Sequence, residues 1–166
     1  MNSENSDQVD VILAQWQRER PDLDVFPMGI VGRFGRLTKY LERSLQQVFS
    51  EFDLHAGEFD VLATLRRSGQ PYQLSPTALF NTLMISSGTM THRIDRLEKA
   101  DLVQRIPDPG DRRGTLIQLT AKGFSVIEAA LEAHVANMHR FLSSLEQAEQ
   151  QSLTQLLRKL LIAFEE

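Results

Sequence analysis

The feature that most constrains this 166-residue chain is a change in hydrophobic period after Asp101. Before that residue, apolar side chains recur every three or four positions, which is typical of amphipathic helices. Two short runs rich in Val, Ile, Leu and Thr follow it, at residues 102–107 and 115–120. Turn-forming residues fill the segment 108–114 between them. The pattern therefore predicts a β-hairpin directly after a series of helices.

The helical part begins with two segments of different length. A first helix covers residues 9–16 and is stopped by Pro21. A long helix is predicted to begin near Ile30, because apolar residues recur at helical spacing from there to Phe52. These segments can form amphipathic helices, but a small domain offers little surface on which to bury them.

Three shorter helices lead into the hairpin. One follows Gly57, and a second starts at Ser75 and Pro76, a serine cap followed by a proline that needs no N–H in the first turn. The third opens at residues 86–88. Beyond the hairpin, Thr120 can cap a final long helical region whose apolar stripe extends to Phe164.

Helix, short helix, helix and a hairpin with a basic tip form the sequence plan of a winged helix-turn-helix. The predicted fold class is therefore mainly α with a small β-wing. We divide the chain into an N-terminal extension helix and first dimerisation helix at 1–52, a winged helix-turn-helix DNA-binding domain at 53–122, and C-terminal dimerisation helices at 123–166. A second copy of the chain would cover the long terminal helices, which predicts a homodimer.

Composition restricts the class of protein further. The chain has no cysteine, which excludes disulfides and thiolate metal sites and fits a reducing cytoplasm. Neither a signal peptide nor a membrane-spanning apolar run is visible, so we expect a cytoplasmic protein. An enzyme is the main alternative class, but no phosphate-binding glycine motif or nucleophile elbow occurs. His134 and His139 lie five positions apart, which is poor zinc-ligand spacing, so no metal or cofactor is predicted.

Charge is distributed unevenly along the chain. Residues 86–122 carry seven basic and five acidic side chains, a net charge of +2, although the whole chain is at -4 and the remainder is therefore at -6. A locally basic element on an acidic body can approach phosphate through one face. This distribution favours double-stranded DNA as a partner.

The helix that opens at residues 86–88 is the candidate recognition helix. Met90, Ile94 and Leu97 share its inward face, which leaves a polar face to contact bases. That outer face consists of Ser87, Thr89, Thr91, His92 and Arg96. The alternative is an ordinary capped surface helix with a solvated polar face.

The hairpin carries the second group of candidate DNA contacts. Arg112 and Arg113 are adjacent in the predicted loop and follow Asp111. Arginines at a hairpin tip can enter the minor groove, and an aspartate can brace one guanidinium. A solvated charge pair is the alternative interpretation of the same residues.

Three segments, residues 83–98, 108–114 and 119–123, together resemble the MarR family of bacterial regulators. The resemblance implies a dimer that places recognition helices in successive major grooves and wings in the minor groove. It also implies DNA contacts from the helix residues named above, with Arg113 as the wing arginine and Asp111 as its brace. Many members of this family are repressors that a small ligand releases from DNA.

A narrower resemblance comes from residues 16–24 and 57–62, which look like the urate-responsive branch of PecS-type and HucR-type regulators. It implies a ligand set of Trp16, Asp60, Arg93 and Arg105, and urate as the anionic aromatic ligand. Two arginines can bind a planar anion, an indole can stack on it, and an aspartate can accept from ring N–H groups. Because Arg93 lies on the recognition helix, a ligand that attracts it would tilt that helix.

Each member of that set also has a plainer explanation. Trp16 can be a core residue, Asp60 a structural ion-pair partner and Arg105 a phosphate contact. The ligand itself remains open among urate, xanthine-like purines, phenolic acids and tricarboxylates. A ligand-independent DNA-binding protein is the remaining alternative.

Overall fold

A computed structural model describes residues 6–83 and 87–165, apart from the side chains of Ser87 and Arg112. Within these residues the helices are α1 (Gln8–Glu19), α2 (Phe26–Ser50), α3 (Ala56–Arg67), α4 (Pro76–Leu83), α5 (Ser87–Lys99), α6 (Ala121–Phe141) and α7 (Gln147–Glu165), and the strands are β1 (Gln73–Leu74), β2 (Val103–Asp108) and β3 (Asp111–Leu119). The protein is therefore mainly α with a small antiparallel sheet, as the sequence predicted. No helix in the described ranges has the length and apolar composition to cross a bilayer.

The chain divides into two compact units, residues 1–44 and 45–166. In the first unit, Asp7 caps α1 by accepting the backbone N–H groups of Val9 and Asp10, and the Asp10 carboxylate accepts the N–H of Asp7 in return. Arg33 of α2 donates to both carboxylates, at 2.8 Å to Asp7 and 2.6 Å to Asp10. These contacts fix the start of α1 against the first half of α2.

Helix α2 begins at Phe26, before the predicted start near Ile30. The Asp24 carboxylate accepts the N–H of Phe26 at 3.0 Å, and Pro27 in the first turn has no N–H to satisfy. The loop 21–29 is therefore shorter than the sequence indicated, because local capping adds the first turn where the apolar period is weak.

The second unit has its core between α3, α4, α5, α6 and the sheet. The predicted inward residues of α5, Met90, Ile94 and Leu97, are almost fully buried, and so are Leu62 and Leu65 of α3. The inward face that the helical period predicted for both helices is confirmed. Burial of one stripe on each helix leaves the opposite face of α5 exposed.

The sheet has the strand order β1-β3-β2, and both pairs are antiparallel. Strand β3 begins at Asp111, so Pro109 and Gly110 alone connect it to β2. The predicted loop 108–114 was therefore too long: the turn formers after Gly110 lie in a strand, because Asp108 accepts the N–H of Gly110 at 2.8 Å and tightens the turn. Strand β1 was not predicted, since two residues show no period.

The final helical region is two helices. Thr120 caps α6 as predicted, its Oγ1 accepting the N–H of Gly123 at 2.9 Å. Helix α6 ends at Phe141, and α7 begins at Gln147. The Glu149 carboxylate in the first turn of α7 accepts the N–H of Glu146, the residue before the helix. No residue of α7 within the described range is buried, and its apolar side chains are exposed.

Candidate nucleic-acid interface and ligand cavity

Helix α5 presents a polar surface opposite its buried stripe. Thr89, Thr91 and His92 are exposed on it, at the positions that the sequence predicted for base contacts. The side chain of Ser87, a fourth predicted contact, lies outside the described residues. Short hydroxyl side chains on the first turns of an exposed helix allow its backbone to approach base edges closely.

Arg96, the last predicted contact of α5, is bound to α3. Its Nε donates to the carboxylate of Glu58 at 2.7 Å, and the Glu58 side chain is only 6% exposed. The same carboxylate accepts the backbone N–H of His55 at 2.8 Å, at the N-cap of α3. Glu58 thus joins the start of α3 to the candidate recognition helix. The sequence did not indicate the bond to Arg96, because a glutamate at the third position of a helix is commonly a cap residue.

The wing carries Asp111 and Arg113 on β3, and both are exposed. Asp111 accepts the backbone N–H of Arg113 at 2.9 Å. This bond shapes the backbone of the turn, and the predicted brace of the Arg113 guanidinium by Asp111 stays a prediction for the DNA complex. The side chain of Arg112 falls outside the part of the chain that the structure describes.

Arg105, predicted as a ligand contact, connects the wing to α5. It lies on β2, and its guanidinium donates to Asp95 at 2.6 Å and to Glu98. These two carboxylates are three residues apart on α5 and so share one face of the helix. The structure thus joins Arg105 to α5 carboxylates that the sequence reasoning did not consider.

Asp60 and Arg93, two further members of the predicted ligand set, are brought together. A Cβ at Gly57 would overlap the Arg93 guanidinium, so the absent side chain lets Arg93 of α5 lie against α3. Although Asp60 keeps contact with solvent, desolvation raises its pKa above the ordinary value, while the positive charge of Arg93, then of Arg67, acts in the opposite direction. Asp60 and Arg93 are therefore electrostatic neighbours. Trp16, the fourth member, lies on α1 in the first unit and is 42% exposed.

A cavity of about 450 Å³ opens beside Asp60. Helix α3 lines one side with Asp60, Thr64 and Arg67, and α6 lines the other with His134. The imidazole packs on the aromatic ring of Phe59, with 4.9 Å between ring centroids. Desolvation lowers the pKa of His134, and the charge of Asp60 opposes the shift.

The sequence analysis did not place Thr64, Arg67 and His134 beside Asp60 in one cavity. Asp60, Thr64 and Arg67 are spaced by four and three residues, so a helical period could have placed them on one face of α3. His134 had no such signal, because its neighbourhood depends on how α6 packs on α3. In the described ranges, no three His, Asp or Glu side chains gather as a metal site.

Comparison with known proteins finds similarity to DNA-binding regulators. The model of the MarR family matches residues 54–115, which include α3, α4, α5 and most of the wing. Over 150 residues the chain is 47% identical to the HTH-type transcriptional regulator PecS of Dickeya dadantii, and the match covers 90% of each protein.

Two solved structures share the fold over most of the chain. A mutant MarR of E. coli in complex with operator DNA has a TM-score of 0.71 at 25% identity, covering 94% of this chain and 99% of that one. BpsR of Bordetella bronchiseptica, whose DNA binding is regulated by 6-hydroxynicotinic acid, has a TM-score of 0.69 at 27% identity, covering 79% and 91%. These relatives are regulators rather than enzymes, and their fold is the winged helix-turn-helix that the sequence predicted.

Proposed function

The chain belongs to the MarR family of DNA-binding transcription regulators, and we propose from this premise that it is a homodimeric repressor released from its operator by a small anionic aromatic ligand, with urate as that ligand. DNA binding is the family's activity. The repressor role, the dimer and the ligand are the new parts of the proposal. The cytoplasm is the compartment that such a function requires.

The exposed polar face of α5, next to an arginine-bearing wing, is the observation that supports this mode of DNA binding. Thr89, Thr91 and His92 would contact bases in the major groove, and Arg113 would reach the minor groove. Ser87, Arg96, Asp111 and Arg112 complete the proposed interface. Arg96 would contribute mainly through its bond to Glu58, which fixes the orientation of α5. The operator would be a near-palindrome with half-sites about 10 base pairs apart.

The exposed apolar face of α7 supports the dimer. Leu157 and Leu161 are 40% and 55% exposed and lie four residues apart, on one side of the helix. Burial of such side chains against a second copy would remove them from water, at about 1.5–3 kcal/mol for each leucine that becomes fully buried.

The dimer is tested by changing both leucines to glutamate. L157E/L161E should raise the dissociation constant of the dimer by at least about tenfold, because charged side chains are costly to bury. Sedimentation equilibrium measures this constant, and Gln151→Glu on the same helix is the matched control. A double variant that dimerises like the wild type would rule out this face as the interface.

The ligand response is proposed from the pair Asp60 and Arg93. A planar anion could pair with Arg93 and donate ring N–H groups to Asp60, and the likeness to PecS supports urate. The example of BpsR favours a hydroxylated aromatic acid as the second candidate. Trp16 and Arg105 remain in the proposed set. Arg105 would have to leave Asp95 and Glu98 to bind the anion.

Release of DNA would follow from the position of Arg93. The residue belongs to the helix that reads DNA, so an anion that prefers a shifted Arg93 also prefers a shifted α5. A ligand with higher affinity for that state lowers the affinity for DNA, and bound DNA lowers the affinity for the ligand by the same factor.

Fluorescence anisotropy with labelled operator DNA tests the proposal. Wild-type protein should bind, and urate should release the DNA. In Arg93→Gln, Trp16→Leu and Arg105→Gln, release should require at least about tenfold more urate, equivalent to about 1.4 kcal/mol of lost binding. Unchanged release by urate in Arg93→Gln would defeat the proposed mechanism, and release only by 6-hydroxynicotinic acid would replace urate with the second candidate.

A further inference from the structure

The wing is anchored to the core at its base only. Val103, Ile117 and Leu119 are buried there. From Ile106 to Leu116, none of the residues whose side chains the structure describes is buried. A two-stranded ribbon by itself is marginally stable, so the angle of this outer part to the rest of the domain depends on further contacts.

Arg105 lies at the boundary between the base and the outer part, and α5 binds it at three points. Strand β2 is at the edge of the described sheet, with β3 on one side. The backbone N–H of Arg105 donates to the Glu98 carboxylate at 3.3 Å, and the guanidinium donates to Glu98 and, at 2.6 Å, to Asp95. Glu98 therefore holds both the backbone and the side chain of this strand residue.

These contacts contribute more to orientation than to stability. The side chains of Asp95, Glu98 and Arg105 are between 35% and 47% exposed, and ion pairs with such exposure add little to the free energy of unfolding. A guanidinium bound by two carboxylates is nevertheless fixed in direction, because its N–H groups form a rigid planar fork. The three residues can therefore set the angle at which the wing leaves the core.

The charge of the two carboxylates by itself opposes binding to DNA. Asp95 follows Thr91 by four residues, so it lies one turn further along the same side of α5 as a proposed base contact. Carboxylates repel phosphate, and their removal alone would strengthen binding to DNA of any sequence. A favourable contribution of Asp95 and Glu98 to operator binding must therefore come from the geometry that they impose.

We propose that Asp95 and Glu98 are positioning residues for DNA binding: through Arg105 they fix the angle of the wing to α5, so that Arg113 reaches the minor groove while α5 occupies the major groove. The inference rests on the proposed mode of DNA binding, to which it adds the residues that align its two parts. Gly110 in the turn lies five residues beyond Arg105, roughly 15 Å along a strand. A rotation of about 10° at Arg105 would thus move the tip of the wing by about 3 Å.

Fluorescence anisotropy of the full chain with operator DNA and with unrelated DNA tests the inference. Asp95→Ala/Glu98→Ala should weaken operator binding by at least about tenfold, although it removes two negative charges. The matched control, Asp101→Asn/Glu132→Gln, removes two negative charges from exposed residues outside these contacts, and asparagine tolerates the positive φ of Asp101. The control should bind every DNA as tightly as the wild type or more tightly.

The decisive measurement combines these changes with Arg113→Ala. In the wild type this substitution should reduce the slope of log affinity against log salt by about 2 in a dimer. In Asp95→Ala/Glu98→Ala it should reduce the slope by less, because a displaced wing no longer holds Arg113 at phosphate. A general loss of stability would not remove this coupling between the two sets of residues.

Arg105→Lys is the second variant, and it keeps the charge of Arg105. An ammonium lacks the planar fork that joins two carboxylates, so operator binding should weaken and the effect of Arg113→Ala should again shrink. If Arg105 served only as a phosphate contact, lysine would replace it with little loss. This variant provides the test should Asp95→Ala/Glu98→Ala fail to fold.

Each result has a separate meaning. Weaker operator binding together with a smaller effect of Arg113→Ala supports the inference. Operator affinity equal to or above that of the wild type overturns it, and so does an undiminished effect of Arg113→Ala, while the proposed contact of Arg113 stands in both cases. No effect of Arg113→Ala in the wild type overturns the proposed wing contact and this inference together.

Discussion

Glu58 brings a carboxylate into the interior of the second unit, where its partners come from two elements. It accepts a backbone N–H at the start of α3 and an Nε–H from Arg96 of α5. A buried carboxylate is tolerated when it is paired and hydrogen-bonded, and removal of one partner leaves it uncompensated. Arg96 is therefore as much an internal anchor as a surface group.

The ion pair of Glu58 and Arg96 can be tested by removing the charge of each residue in turn. Arg96→Met should lower the free energy of unfolding by about 1–2 kcal/mol. The expected loss is at the lower end for a hydrogen bond to a charged group, because the Arg96 side chain is partly exposed. Adding Glu58→Gln should recover part of the loss, since no buried charge then remains. Urea unfolding of both variants measures this. If Arg96→Met is as stable as the wild type, the pair does not hold α5.

His134 makes stability depend on pH. Desolvation lowers its pKa below the ordinary 6.5, so the folded protein takes up this proton less readily than the unfolded chain. The contribution of neutral His134 to the free energy of unfolding is therefore fully present above pH 6.5. It is lost as the pH falls from there through the lowered pKa of the folded protein.

The measurement compares wild type and His134→Gln by denaturant unfolding between pH 7.5 and 5. The free energy of unfolding of the wild type should fall relative to that of His134→Gln as the pH falls, because glutamine does not titrate. His139→Gln, an exposed change on the same helix, should follow the wild-type profile. Parallel profiles for wild type and His134→Gln would contradict the expected loss.

At the scale of elements, the junction of β2 and α6 depends on one close approach. The backbone of Gly123 lies against the carbonyl of Leu102, where any Cβ would overlap it. Thr120 reinforces the junction, since its N–H donates to the same carbonyl at 3.2 Å. The end of the sheet and the first turn of α6 are thus fixed to Leu102, the residue that precedes β2.

Gly123→Ala should destabilise the protein by about 1–3 kcal/mol, because the Leu102 backbone must move to admit a methyl group. The matched control is Gly35→Ala on α2, where a Cβ meets nothing within 4 Å. That change should stabilise the protein by about 0.5–1 kcal/mol, since alanine is the better helix former. Thermal or urea unfolding distinguishes the two variants. A Gly123→Ala variant with the stability of the wild type would show that the Leu102 backbone moves without cost.

The whole molecule has a net charge of -4, whereas residues 86–122, which carry the proposed DNA contacts, are at +2. Binding to DNA should therefore depend on local phosphate contacts and weaken steeply as salt increases. An acidic body also disfavours approach of DNA to any other face.

Arg113→Ala tests the contribution of the wing to this salt dependence. Loss of one phosphate contact in each subunit should reduce the slope of log affinity against log salt by about 2 in a dimer, and should weaken binding to all sequences alike. Anisotropy titrations at several salt concentrations with operator and unrelated DNA measure both effects. A slope equal to that of the wild type would mean that Arg113 does not contact phosphate.

The sequence by itself determined what depends on neighbours along the chain. The buried stripe of α5, the caps at Ser75 and Thr120, and the hairpin after Asp101 all follow from short-range spacing, and the structure contains each of them. Errors at this level were local: α2 starts a turn early, the hairpin turn is tighter than predicted, and β1 is too short to show a period.

Only the tertiary structure decided which side chains meet. Glu58 with Arg96, Arg105 with Asp95 and Glu98, and Thr64 with His134 around one cavity join elements that are distant in sequence. Hydrophobic period fixes the face on which a residue lies, but the partner of a charge or hydroxyl depends on how two faces pack. For this reason the candidate recognition helix could be located from the sequence, whereas the ion pairs that hold it and the residues that line the cavity could not.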